Sequence, residues 1–251
     1  MAVFLEVIVT SVADAVAAQE GGADRLELVT ALEHGGLTPD FETVEQVVRA
    51  VTVPVRVMLR RNPSMSIQDS SELDRLKEDA QHLKQWPING LVAGFLKPQS
   101  SWGGPSACAG RSGPPRTVSG PQRAIDEHAM TELAAAAPGI PVTFHRAFDE
   151  IYPATNALDV LKRMPQVDRI LTHGNETSLP ARFASALQLQ KMAGPKLKIV
   201  FAAGLQILQL AQKLDGLTDL EVHVGRAARL PQDVTGHVSR HKVAALRNLL
   251  R

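Results

Sequence analysis

The amino-acid sequence predicts a single-domain α/β protein, a TIM-like (β/α)8 barrel, and three observations support this. The chain has 251 residues, about the length of a one-domain barrel. Short apolar segments alternate eight times with longer helical patterns. Charged residues recur at every second position of several apolar segments, and alternate side chains of a barrel strand point into the lumen. We therefore expect a barrel whose lumen carries charge.

The predicted elements follow one another in a regular order along the chain. The predicted strands span 3–9, 24–29, 53–60, 88–95, 141–148, 168–173, 197–203 and 219–224. The predicted helices span roughly 12–20, 40–50, 69–86, 121–137, 154–164, 179–192, 205–214 and 238–250. This alternation predicts parallel strands joined by right-handed crossovers in one domain over residues 1–251.

Two helix starts carry recognisable capping residues. Ser11 is a typical N-cap for the first helix, with Asp14 three residues later as its capping-box partner. Thr38 followed by Pro39 predicts an N-cap with proline at the first helical position of the second helix. Gly21 and Gly22 mark the end of the first helix.

The segment 97–121 interrupts the alternation, because Gly, Pro and Ser dominate it and no apolar period continues through it. Its composition favours a flexible insertion. It follows the fourth strand, so a lid over the C-terminal face of the barrel is the alternative. The one cysteine of the chain, Cys108, lies in this segment and has no partner for an intramolecular disulfide.

Composition excludes several classes of function. The 27 basic and 26 acidic residues give a net charge of +1, which provides no broad basic surface for nucleic acid. No apolar run reaches the length of a membrane span, and no signal peptide precedes the first strand. We expect a cytoplasmic protein. Binding of a small charged ligand remains an open alternative, because such a site needs only local charge.

Several charged side chains are predicted to converge in the lumen. The group consists of Glu6, Arg25, Glu27, Arg60, His145, Glu221 and His223. It forms either an internal salt-bridge network or a ligand site, because a buried charge needs a partner. Arg25 and Glu27 are expected to form a structural pair. His145 and Glu221 are the candidate catalytic acid and base, since histidine titrates near neutral pH.

The ends of the predicted strands add further ligand-binding candidates. Arg146 and Asp149 follow the fifth strand, and Gly204 and Gly225 follow the seventh and eighth. Barrel enzymes often hold phosphate at the last two loops, and Arg226 would add charge there. The alternative is that the two glycines only permit tight turns.

The spacing of potential metal ligands in this sequence indicates no particular metal, so the identity of any metal is left unknown. The i, i+4 pair His237 and His241 is interpreted as solvent-exposed. Cu(I) prefers thiolate and thioether ligands, and one cysteine with six dispersed methionines predicts no preformed Cu(I) site. A site at the barrel mouth would suit a borderline divalent ion, and its expected members are His145, His223, Glu6 and Glu221. Walker, Rossmann, GxSxG and HExxH motifs are absent.

Six ordered motifs resemble the CutC family of copper homeostasis proteins. They are Leu5-Glu6-Val7, Gly22-Ala23-Asp24-Arg25-Leu26-Glu27-Leu28, Gly35-Gly36-Leu37-Thr38-Pro39, Thr143-Phe144-His145-Arg146-Ala147-Phe148-Asp149, Arg169-Ile170-Leu171-Thr172 and Glu221-Val222-His223. The resemblance implies a TIM-barrel-like fold, a cytoplasmic homodimer and a role in copper handling, with copper as the implied ligand. The family's Arg-Pro-Arg-Gly-Gly-Asp-Phe loop reads Arg60-Arg61-Asn62-Pro63-Ser64-Met65 here. Only Arg60 carries over, and the predicted strands hold no cysteine.

Three functions are therefore expected to compete. The first is a CutC-like role in copper homeostasis with weak or indirect metal binding. The second is a barrel enzyme that acts on a small anionic metabolite, such as a phosphorylated one, and uses His145 and Glu221 for proton transfer. The third is a non-catalytic scaffold that binds a partner through the 97–121 insertion.

Overall fold

A computed structural model describes residues 3–98, 123–174, 176–202 and 219–250, and it contains a closed barrel of eight parallel strands. The strands are β1 Phe4–Val9, β2 Arg25–Leu28, β3 Val55–Met58, β4 Gly90–Ala93, β5 Val142–Phe144, β6 Val167–Thr172, β7 Lys198–Ala202 and β8 Glu221–Val224. They pair in chain order, and β8 pairs with β1 to close the ring. The predicted barrel is confirmed.

Helices connect most of the strands and cover the outside of the barrel. They are α1 Val12–Glu20, α2 Phe41–Ala50, α3 Ser70–Leu83, α4 Glu127–Ala136, α5 Ala154–Lys162, α6 Leu179–Ala193 and α7 Arg240–Leu249. The predicted helix 205–214, Gly204, Cys108 and most of the insertion at 97–121 lie outside the described residues. Within the described ranges, no helix combines the length and apolarity needed to cross a membrane.

Side-chain caps decide where the first two helices begin. The Ser11 hydroxyl accepts the Asp14 N–H at 3.1 Å, as the sequence predicts. Asp14 does not complete a capping box with Ser11, since its carboxylate accepts from Thr10 instead. The predicted Thr38 cap of α2 is wrong. Asp40 caps that helix, because the Thr38 hydroxyl is already bonded to the backbone of Arg60.

The apolar core lies between the barrel and its helices. Outward-facing residues of β1 such as Leu5 and Val7 are fully buried and share one cluster with Ala15 and Ala18 of α1. The alternate residues of the same strands face the lumen. The period of two seen in the sequence therefore separates an apolar outer layer from a charged interior.

A two-stranded hairpin follows β8 and closes one side of the fold. It consists of β9 (Arg229–Leu230) paired antiparallel with β10 (His237–Val238). The buried Arg229 side chain lies 3.1 Å from the Asp14 carboxylate and donates to the backbone oxygen of Gly236. This ion pair ties the hairpin to α1.

Candidate functional site

A cavity of about 800 Å³ lies at the C-terminal ends of the barrel strands. We call it the mouth cavity. Active sites of barrel enzymes occupy this face, and the volume is in the range of small-molecule sites. Eight of the predicted site residues line it: Glu27, Arg60, His145, Arg146, Asp149, His223, Gly225 and Arg226. Glu6, Arg25 and Glu221 are not among its lining residues, and they lie deeper in the lumen.

The deeper layer is a set of ion pairs centred on Arg25. Its guanidinium donates to Glu6 Oε2 and to Glu221 Oε2, both at 2.5 Å. Arg169 donates to the same Glu221 carboxylate at 2.9 Å and 3.1 Å. Glu221 is the first residue of β8, so it sits toward the end of the barrel that is opposite the mouth.

The expected Arg25–Glu27 pair is wrong, and the strand register explains why. Glu6 lies opposite Arg25 across the β1–β2 pair, so its carboxylate meets the guanidinium directly. Glu27 is two residues further along β2, one layer nearer the mouth. Arg25 therefore pairs with the residue opposite it on the neighbouring strand, and not with the residue two positions along its own strand.

A second arginine fills the same deep region and was not among the predicted site residues. Arg56 on β3 donates to both oxygens of Asp168, at 2.8 Å and 2.6 Å, and to the Thr143 hydroxyl at 2.7 Å. Asp168 also pairs with Arg169. These contacts neutralise one another inside the barrel. We call Arg25, Arg56, Asp168, Arg169 and Glu221 the lower cluster.

Glu6, Glu27 and His223 form a second group between the lower cluster and the mouth cavity, joined to the lower cluster by the Arg25–Glu6 ion pair; we call it the upper cluster. His223 Nδ1 is 2.8 Å from Glu6 Oε1 and 3.6 Å from Glu27 Oε2. All three residues are buried, with one potential ligand atom from each lying within 4.8 Å of the others. Glu27 Oε2 has no hydrogen-bond partner among the described residues.

The three upper-cluster groups titrate differently because their neighbours differ. Burial opposes ionisation of Glu6, but Arg25 and His223 hold the pKa of Glu6 well below its usual range. Burial raises the pKa of Glu27 to about 7, although the nearby His223 opposes the rise. Burial also works against the imidazolium, yet Glu27 and the hydrogen bond to Glu6 raise the pKa of His223. The cluster therefore combines an ionised Glu6, a Glu27 carboxyl with a pKa of about 7 and a histidine whose pKa is raised.

His145 lies apart from these groups, directly after β5, where it caps a short 3-10 helix. Its Nδ1 accepts the Ala147 N–H at 3.1 Å, which leaves the ring proton on Nε2 in the neutral form. Nε2 is buried and has no partner within the described part of the chain. Burial first, and then the charge of Arg60, lower the pKa of His145 to about 3.

The candidate acid and base are therefore not brought together. Glu221 is bound by two guanidiniums in the lower cluster, while His145 lines the mouth cavity. A histidine that stays neutral at pH 7 offers a hydrogen-bond donor at Nε2 instead of an imidazolium acid. Their separation arises because Glu221 begins its strand and His145 follows the end of its own.

The remaining predicted site residues differ in whether other groups of the protein bind their charged side chains. The Arg60 guanidinium donates to the backbone oxygens of Gly36, Asn62 and Pro63, so it shapes the loop after β3. The Asp149 carboxylate accepts from the Thr172 hydroxyl at 2.5 Å. Both charged groups are therefore held by hydrogen bonds within the protein.

Two arginines of the mouth cavity are exposed. Arg146 is only loosely paired, 3.4 Å from Asp149. Arg226 follows β8 and has no carboxylate within ion-pair distance among the described residues. Arg226 is therefore the freest cation of this lining. His173 and Arg182 also line the cavity, and no motif or spacing in the sequence singles them out.

Comparisons with known proteins agree with the motif resemblance. The CutC family model matches residues 3–102 and 113–227. A human copper homeostasis protein cutC homolog is 30% identical over 219 residues, 87% of this chain and 71% of its own length. A CutC family protein of Xanthomonas campestris is 28% identical over 98% of this chain and 97% of its own length.

Solved structures agree on the fold. The CutC crystal structure from Streptococcus agalactiae superposes with a TM-score of 0.69 at 22% identity, covering 89% of this chain and 98% of that one. Phosphoribosyl anthranilate isomerase from Thermococcus kodakaraensis gives a TM-score of 0.56 at 12% identity, with 99% of each chain covered. At such low identities these likenesses establish the barrel and nothing about its ligand.

Proposed function

Since this chain belongs to the CutC family, we propose that it acts in copper homeostasis, the role that the names of its human and mouse relatives give. We further propose that it does so by binding a small anionic ligand in the mouth cavity. The observation that carries this second part is Arg226, an exposed cation beside a cavity of about 800 Å³ with no carboxylate at ion-pair distance in the part of the chain that the structure describes.

Direct storage of Cu(I) is a poor match for the donors that line this cavity. Cu(I) prefers thiolates and thioethers. The single cysteine, Cys108, lies outside the described residues. Met58 and Met65 line the cavity, but each is also packed against an apolar cluster. The remaining donors are carboxylates, imidazoles and guanidiniums, so we propose that the copper role does not rest on a preformed Cu(I) site here.

The copper role is tested in the organism that carries this gene. Deletion of the gene should change growth across a copper series and leave growth across a matched zinc series unaltered. The wild-type gene should restore growth, and Arg226→Gln should restore it only in part. Identical growth of the deletion strain and its parent at every copper concentration would overturn the proposed role.

Anion binding is tested on the purified chain by thermal shift and calorimetry with phosphate, pyrophosphate and citrate. We expect at least one of these anions to stabilise the wild type, and Arg226→Gln to weaken its binding about tenfold. The matched control is Arg49→Gln, an exposed arginine at the C-terminal end of α2 that does not line the cavity. Equal binding by the Arg226 and Arg49 variants would contradict the assignment.

A barrel enzyme acting on a small anionic metabolite is the second candidate. It is favoured by the position of the cavity, since barrel active sites lie at the C-terminal ends of the strands. The buried His145 Nε2–H, with no partner among the described residues, would donate a hydrogen bond to the substrate. Turnover of any anion that binds, lost in His145→Ala and retained in Arg49→Gln, would favour this candidate over a binding protein.

The cytoplasmic location and the homodimer that the family resemblance implies are part of the same proposal. Analytical ultracentrifugation of the full chain should then give twice the mass of one chain. A single species with the mass of one chain, over the concentrations reached in cells, would refute the dimer. Fractionation of cells would locate the protein.

A further inference from the structure

We propose that the upper cluster, Glu6, Glu27 and His223, is a binding site for a borderline divalent cation of the Zn²⁺ or Cu²⁺ type, with one coordination position open to the mouth cavity. This site goes beyond the copper role proposed above and does not depend on it. Three adjacent strands supply its members, because Glu6 lies opposite His223 across β1–β8 and Glu27 lies opposite Ile8 across β1–β2.

The separations of the candidate ligand atoms suit a small ion. Zinc bonds to nitrogen and oxygen are about 2.0–2.2 Å, so two ligands of a tetrahedral ion lie about 3.3–3.6 Å apart. His223 Nδ1 is 2.8 Å from Glu6 Oε1 and 3.6 Å from Glu27 Oε2, which brackets that range. The third pair also lies within 4.8 Å. Small side-chain rotations would bring all three atoms into coordination.

The Glu27 carboxylate is the independent sign that the cluster lacks a partner. Glu27 is 2% exposed, and its Oε2 accepts no hydrogen bond from any described residue. A buried carboxylate oxygen without a donor is costly. This oxygen lies 3.6 Å from His223 Nδ1, so a cation held between the two atoms would give the Glu27 oxygen a partner.

The surrounding charges also favour a cation. Near the cluster, four carboxylates face three guanidiniums: Glu6, Glu27, Asp168 and Glu221 against Arg25, Arg56 and Arg169. A protonated His223 balances this count, and when His223 is instead a neutral ligand a bound cation would take the place of that proton. Arg25 donates to Oε2 of Glu6, so that Oε1 faces His223 Nδ1, in the way that outer groups orient metal ligands.

The donor set selects the class of ion. Two carboxylates and one imidazole match zinc and other borderline first-row ions better than Cu(I), which prefers sulfur. Glu27 and His223 line the mouth cavity whereas Glu6 lies below it, so the open position would face the cavity.

The test is a Zn²⁺ titration of the purified, chelator-treated full chain against a chromophoric competitor. We expect one tight site per chain, weakened at least tenfold by Glu27→Gln, which keeps the shape and removes the charge. Glu33→Gln is the matched control, because Glu33 is an exposed carboxylate at the same cavity, and it should bind like the wild type. Thermal unfolding shows whether each variant is folded.

A second readout identifies the histidine. Co²⁺ in the wild type should give the visible absorption of a four-coordinate ion, and His223→Asn should alter that spectrum. Absence of a tight Zn²⁺ site in the wild type, or equal affinities of the Glu27 and Glu33 variants, would overturn the proposal. Zinc binding without any copper phenotype would overturn only the copper role, so the two failures are distinguishable.

Discussion

Acidification should destabilise this fold at one buried imidazole, that of His145. Burial and the charge of Arg60 lower its pKa in the folded chain to about 3, from an ordinary value of 6.5. Between these values the unfolded chain binds a proton that the folded chain does not. The free energy of unfolding must therefore fall as the pH falls through this window, and the loss is complete near the folded pKa.

The magnitude follows from the width of the window. Each pH unit below 6.5 costs about 1.4 kcal/mol from this group, so the loss at about pH 5 is about 2 kcal/mol. His145→Asn removes the titration and keeps an acceptor for the Ala147 N–H, the bond that His145 Nδ1 makes at 3.1 Å. Titrations of Glu27 and His223 are common to both proteins and cancel in the comparison.

Urea unfolding followed by circular dichroism at about pH 7.5 and about pH 5 provides the assay. From the higher pH to the lower, the variant should gain about 2 kcal/mol of unfolding free energy relative to the wild type. His34→Asn, which replaces an exposed imidazole at the same cavity, is the control. The free energy of unfolding of this variant should change between the two pH values by the same amount as that of the wild type. If the unfolding free energies of the His145 variant and the wild type changed by the same amount between the two pH values, the reasoning would be refuted.

Two further predictions concern packing and charge. Arg25→Met removes the cation between Glu6 and Glu221, leaving two buried carboxylates poorly compensated, and should cost about 3–5 kcal/mol; a wild-type urea midpoint would contradict the lower-cluster assignment. Gly21→Ala would place a Cβ 2.5 Å from the Cβ of Val243, so α1 and α7 must shift, at about 1–3 kcal/mol. An unchanged thermal midpoint for this variant would show that the two helices move apart freely.

The barrel itself was predictable, because strand patterning is a local property. Each predicted strand overlaps an observed one, since polar and apolar residues alternate with the pleat. The predicted strand 53–60 is observed only over Val55–Met58, so Arg60 lies beyond the strand. There its guanidinium meets backbone oxygens of the loop instead of the lumen.

The partners inside the lumen were not predictable, because they depend on register between strands far apart in the chain. Glu6 meets Arg25 and His223 through two separate strand pairings. The depth of each residue along its own strand decides whether it reaches the cavity. His145 and Glu221 thus share the lumen in the sequence pattern but lie at different depths in the structure.

The most direct test of the central claim, that the upper cluster is a ligand site and not a sealed ion network, is anomalous diffraction. Crystals of the full chain grown with Zn²⁺ would be measured at the zinc absorption edge. We predict a peak at bonding distance from Glu6, Glu27 and His223, with its open side toward the mouth cavity. Zinc found only at surface histidines, with His223 still bonded to Glu6, would contradict the claim.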